Sequence, residues 1–107
     1  MDEAAMTTGF GLVVRFTLRS PDAAEGFDAL VSRTLEGIRQ HEQGTVTYVN
    51  HRVPGEPGVR LFYELYEDRA AFDAHERQPH TRHFLEEREK FVAKTEVTFL
   101  DRLDGKV

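Results

Sequence analysis

Residues 45 to 66, TVTYVNHRVPGEPGVRLFYELY, constrain the fold more than any other stretch. Two runs rich in β-branched and aromatic residues flank Pro54-Gly55-Glu56-Pro57-Gly58, so 45–53 and 59–66 read as a β-hairpin with a longer loop. The second run is apolar on both sides. Val59, Leu61, Tyr63 and Leu65 fill one face; Phe62 and Tyr66, with Arg60 and Glu64, fill the other. Such a strand is buried on both faces. One layer of helices in a chain of 107 residues covers one face only, so the pattern points to a homodimer through the sheets. A monomer with a partly apolar exposed face is the alternative.

The flanking segments complete the pattern. In GLVVRFTLR, from Gly11, residues Leu12, Val14, Phe16 and Leu18 take one face, as in a half-buried strand. Ser20-Pro21-Asp22 reads as a helix start, with Ser20 as the capping hydroxyl and Pro21 at the first position. Phe27, Leu30, Val31, Thr34, Leu35 and Ile38 follow at helical spacing, and Gly44 is the expected left-handed stop. Asp68 can cap a short helix whose inner face holds Ala71, Phe72 and His75. Pro79 breaks it. A further helix from His80 carries Phe84, Leu85, Arg88, Phe91 and Val92 on one side, and TEVTFLDRL (95–103) is the last strand. The order β-α-β-β-α(α)-β is the α+β, ferredoxin-like split βαββαβ arrangement, an antiparallel sheet with helices on one face. The expected organisation is a leader over 1–8, one domain over 9–103 and a polar tail over 104–107.

Several functions are excluded or disfavoured. A net charge of −5 with no basic stretch offers nothing to nucleic-acid phosphates. No run approaches the roughly 18 apolar residues of a membrane span, and MDEAAMTTGF lacks the regions of a signal peptide. These features suggest a cytoplasmic protein. There is no cysteine for a disulfide, a thiolate metal site or a nucleophile. A phosphate-cradling glycine loop, a G-x-S-x-G elbow, an H-E-x-x-H pair and a dinucleotide fingerprint are all missing, so no cofactor is expected.

The chemistry concentrates in FYELYEDRAAFDAHERQPHTRHF, Phe62 to Phe84, which holds three of the five histidines. Histidine titrates nearest neutrality. His75 is either a cavity base or hydrogen-bond donor, or a core histidine satisfied by a backbone carbonyl. His80, at the proline break, is either a second donor near the entrance or a solvated helix start. His83 falls off the apolar stripe and reads as solvated. The proline break works against a metal site built from these three, and no metal is assigned. Glu64 is either paired structurally to Arg15 or Arg60, or a perturbed acid in a cavity. Tyr48 and Tyr66 bring hydroxyls on apolar bodies. Asn50 and His51 lie on opposite faces of their strand, so at most one lines a given cavity; Asn50 is the candidate. Phe62, Phe72 and Phe84 are candidate walls.

Phe62-Tyr63-Glu64-Leu65-Tyr66, the acidic turn, the short helix ending in His75, the Pro79-His80 pair and Phe84 together resemble the antibiotic biosynthesis monooxygenase domain family. The opening strand and His41-Glu42-Gln43-Gly44 at the end of the first helix match as well, so the resemblance spans about residues 10–101. It implies a dimeric α/β barrel of ferredoxin-like subunits. It also implies a cofactor-free monooxygenase acting with O2 on a phenolic, quinol or anthrone-type aromatic, although isomerases and haem-degrading proteins share the family. An isomerase or cyclase, or a non-catalytic small-molecule-binding dimer, is the alternative. His75 and His80 match the family's histidines. Tyr66 stands where a tryptophan is usual, which weighs against haem degradation and makes Tyr66 a third candidate catalytic residue.

Overall fold

In the computed structural model, which describes residues 9–107, the strands are β1 (Phe10–Leu18), β2 (Thr45–Val53), β3 (Glu56–Tyr66) and β4 (Val92–Asp101). The helices are α1 (Ala23–His41), α2 (Arg69–Arg77) and α3 (Pro79–Glu87), with a 3-10 turn over Arg88–Lys90. The expected leader lies outside the described residues. The sheet order is β2-β3-β1-β4, every neighbour antiparallel, which is the ferredoxin-like arrangement.

Register settles which face of β3 meets the helices. Leu12 pairs with Glu64, Val14 with Phe62 and Phe16 with Arg60, and residues directly opposite share a face. Phe62, Glu64 and Tyr66 therefore join Leu12, Val14 and Phe16 under the helices. Val59, Leu61, Tyr63 and Leu65 join Val13, Arg15 and Thr17 on the open face. There Val59 and Leu65 are already buried within the single chain, Leu61 is half-buried, and Tyr63 is 36% exposed.

The core is held by four phenylalanines from four elements. Phe16 of β1, Phe27 of α1, Phe62 of β3 and Phe84 of α3 have every pair of ring centroids between 5.0 and 6.3 Å. Tilted and edge-on pairs at such distances add to their area burial.

Three local expectations need correction. Asp22, not Ser20, sits at the N-cap of α1, and it makes no side-chain cap bond. Gly44 is not in the left-handed region; Gly55 is the described residue that is, with φ 82°. What Gly44 supplies is clearance, because a Cβ there would lie 2.7 Å from the Ala71 Cβ of α2. Finally, the helical stripe does not continue to Val92. α3 ends at Glu87, and Val92 is already in β4, paired with Leu18. By contrast, Asp68 caps α2 as expected, accepting from the Ala71 N–H at 2.8 Å, and Pro79 occupies the first turn of α3.

Replacing Phe27 by Ala removes a ring with 0% exposure from the centre of the tetrad and should cost about 3–5 kcal/mol. Chemical denaturation measures it; a loss under about 1 kcal/mol would contradict the tetrad's role.

Candidate active site

A cavity of about 210 Å³ lies between the sheet and α2–α3. Its wall is mainly apolar, built from Leu12 and Val14 of β1, Phe72 of α2, Phe84 of α3 and Phe99 of β4. Tyr48, Glu64 and His75 supply polar groups. Phe99 is 58% exposed, so the β4 side is the open side.

His75 is buried on the inner face of α2, as its spacing from Phe72 requires. Its partner is not a backbone carbonyl. Nδ1–H donates to Glu42 Oε1 at 2.8 Å, and Thr81 Oγ1 lies 3.4 Å from the same nitrogen. His80 Nε2 donates to the other oxygen, Glu42 Oε2, and Thr45 Oγ1 donates to Oε1 at 2.7 Å. One carboxylate, 4% exposed, thus joins the end of α1 to α2, α3 and the start of β2. Burial opposes its ionisation, but the hydrogen bonds from His75, His80 and Thr45 outweigh that and hold its pKa down to about 2. With Nδ1 committed, Nε2 is the nitrogen of His75 left to accept a proton. The ring sits among aromatics, with centroids 5.5 Å from Tyr48 and 5.3 Å from Tyr66.

Glu64 was expected either in an ion pair or in a cavity. Neither arginine reaches it: Arg15 bonds Glu56 at 2.7 Å, and Arg60 bonds Asp28 at 2.9 Å through two nitrogens. Instead, Tyr66 Oη donates to Glu64 Oε1 at 2.6 Å. Burial pushes the Glu64 carboxyl up, and the Tyr66 hydrogen bond only partly offsets it. Burial also raises both Tyr48 and Tyr66, with Glu64 adding to the effect, so their hydroxyls remain neutral donors.

The expected site residues therefore divide. Tyr48, Glu64, Phe72, His75 and Phe84 line the cavity. Asn50, Phe62, Tyr66 and His80 do not. Asn50 faces the helices but gives its amide N–H to Asp28, 3.0 Å away. Phe62 is spent in the ring tetrad, and Tyr66 lies behind Glu64 with 0% exposure. His80 is neither solvated nor at an entrance; it packs on α1 at Gly37, where a Cβ would collide with the imidazole. His83 is exposed. Among the described residues no group of three or more histidines and carboxylates is disposed to hold a metal ion.

Glu42 is the residue the sequence reading undervalued. One signal was available: a carboxylate at the C-cap of a helix faces the negative end of the dipole, an unfavourable place unless cations or donors meet it.

The profile of the antibiotic biosynthesis monooxygenase family matches residues 9–87, which carry Glu42, Tyr48, Glu64, His75 and His80. The chain belongs to that family. Uncharacterized protein sll1783 of Synechocystis sp. is 34% identical over 74 residues, 69% of this chain and 50% of the relative, so the chain spans half that protein's length. Among solved structures, Rv0793 of Mycobacterium tuberculosis superposes with a TM-score of 0.83 at 26% identity, covering 94% of this chain and 100% of that one. A Caulobacter crescentus CB15 protein, solved as a candidate antibiotic biosynthesis monooxygenase, superposes with a TM-score of 0.86 at 18% identity, covering 95% and 96%. Both solved structures share the four-stranded α+β fold; at 18% identity the likeness speaks to the fold alone.

The depressed pKa of Glu42 sets a pH dependence. Its stabilisation is fully present above the ordinary carboxylate value of 4.5 and is lost as pH falls from there through about 2. The amount is roughly 2–3 kcal/mol. The stability of wild type, measured by denaturation, should fall as pH falls across that window, and Glu42→Gln should flatten the slope while lowering stability at pH 7. Equal slopes in both proteins would contradict the bridge.

Proposed function

We propose that the protein is a cofactor-independent monooxygenase that oxidises a phenolic, quinol or anthrone-type aromatic with O2. The observation that carries the reading is His75, in the wall of an aromatic cavity, with Nδ1 anchored by the Glu42 carboxylate and Nε2 left as a base. Family membership supports the reaction class.

In this scheme His75 Nε2 removes a proton from the substrate's hydroxyl or activated methylene. The resulting electron-rich anion reduces O2 itself, doing what a flavin does elsewhere. An anthrone's ring CH2 becomes C=O, or a phenol or quinol gives up one ring C–H and one O–H hydrogen to become a quinone; in either case one oxygen atom of O2 stays in the product and the second leaves as water with those two hydrogens. Tyr48 donates to the developing oxyanion, and Glu64, kept toward its neutral form by burial, returns a proton to the departing oxygen. Glu42 and His80 act through His75 as positioning residues. The volume is below the roughly 300–1,000 Å³ of ordinary ligand sites, which favours one- or two-ring substrates over a three-ring anthrone.

The active form is proposed to be a homodimer through the open sheet face, where Val49 and Tyr63 stand 42% and 36% exposed beside Val13 and Leu61. Light scattering should give twice the chain mass, and Tyr63→Glu should give a folded monomer. A monomeric wild type would remove the dimer.

Oxygen uptake against a panel of small quinols and anthrones tests the chemistry. His75→Ala should lower turnover by roughly 10²–10⁴-fold with the fold intact. Full activity in that variant would remove His75 as base. Substrate conversion without oxygen consumption would replace the oxygenase with an isomerase or cyclase.

A further inference from the structure

Among the described residues lining the cavity, one carries a guanidinium. Arg88 opens the 3-10 turn after α3, across the chain from His75 on α2. Its side chain is mostly buried, 25% exposed, and its Nε is fully buried with no hydrogen-bond partner among the described residues. The ion pair it makes is loose: Nε lies 4.0 Å from Glu89 Oε2, beyond hydrogen-bonding range, and the Glu89 side chain is 72% exposed. A buried, unmatched N–H on a charged group is an unfavourable state, which the side chain would relieve by turning its donors to an oxygen bound in the cavity it lines. The Arg88 charge is felt at Tyr48, where it works against the larger effect of burial. Two carboxyl groups also line the cavity. Glu76 is exposed to solvent, and burial favours the neutral form of Glu64.

We propose that Arg88 is the specificity-determining residue of the cavity, turning its guanidinium donors to the oxyanion of an aromatic ligand, a phenolate or an aromatic carboxylate. The inference rests on the cavity being the substrate site. It narrows the substrate class from aromatics in general to aromatics bound as anions. Arg88 then holds the oxygen whose proton His75 takes, so the anion is made and kept in one place. A planar guanidinium suits this better than an ammonium, because its donors are fixed in direction.

The test is equilibrium binding of the full chain at pH 8 and low salt, with two pairs of near-isosteric probes. 4-Nitrophenolate is compared with neutral 4-nitroaniline, and benzoate with neutral benzamide. Wild type should bind at least one anion about tenfold or more tightly than its neutral counterpart. Arg88→Gln should abolish that preference and leave the neutral probes within about threefold; Arg88→Lys should keep part of it. Arg82→Gln, which removes an exposed cation of α3 outside the cavity wall, should change neither. Melting curves establish that each variant is folded. Neutral probes binding as tightly as the anions to wild type, or an anion preference that survives Arg88→Gln, would overturn the role of Arg88 and leave the cavity as the site. Failure of all four probes to bind wild type would overturn both.

Discussion

A carboxylate withdrawn from water must be met by donors, and Glu42 is met from three directions. His75, His80 and Thr45 all donate to it, across sequence separations of 33, 38 and 3 residues. Breaking such a buried arrangement by removing one partner is costly, because the remaining charge is left unmatched. The bridge therefore fixes where α2 and α3 sit against the end of α1, and with them one wall of the cavity. Small residues make room for it. Gly37 lets His80 lie against α1, and Gly44 lets Ala71 approach.

The same bridge gives the imidazole its chemistry. A histidine in an apolar wall could present either nitrogen. Anchoring Nδ1 to a carboxylate selects the tautomer and leaves Nε2 as the basic atom, the logic by which carboxylates orient histidine bases generally. Burial keeps the Glu64 carboxyl and the Tyr48 hydroxyl toward their neutral forms, so a base and proton donors share one small space.

The strand periods were legible where one face of a strand lies against the core, as in β1. Thr45–Val53 was readable to the residue, and Leu12, Val14, Phe16 and Leu18 of β1 are all buried. Strand β3 carried large apolar groups on both faces, and alternation alone could not choose between them; pairing Val14 with Phe62 did. Phe91 and Val92 kept a helical spacing while the backbone had already turned through Arg88–Lys90 toward β4, so periodicity overran the helix end. The site was legible where burial follows spacing, as at Phe72 and His75. It was not legible at Glu42, which sits in a charged helix end and gains its meaning only when distant helices converge. Tyr66 and His80, brought in by resemblance as catalytic candidates, do not line the cavity; each hydrogen-bonds a carboxylate behind it, Glu64 and Glu42 respectively.

Everything at the site follows from Glu42 holding His75 with its proton on Nδ1. Long-range proton–nitrogen NMR of the side-chain imidazoles tests it most directly, recorded at a pH where the His75 ring is neutral and assigned with His75→Gln. His75 should appear as the Nδ1–H tautomer with a bare Nε2, reverting toward the ordinary tautomer mixture in Glu42→Gln. A His75 ring carrying its proton on Nε2 in wild type would contradict it.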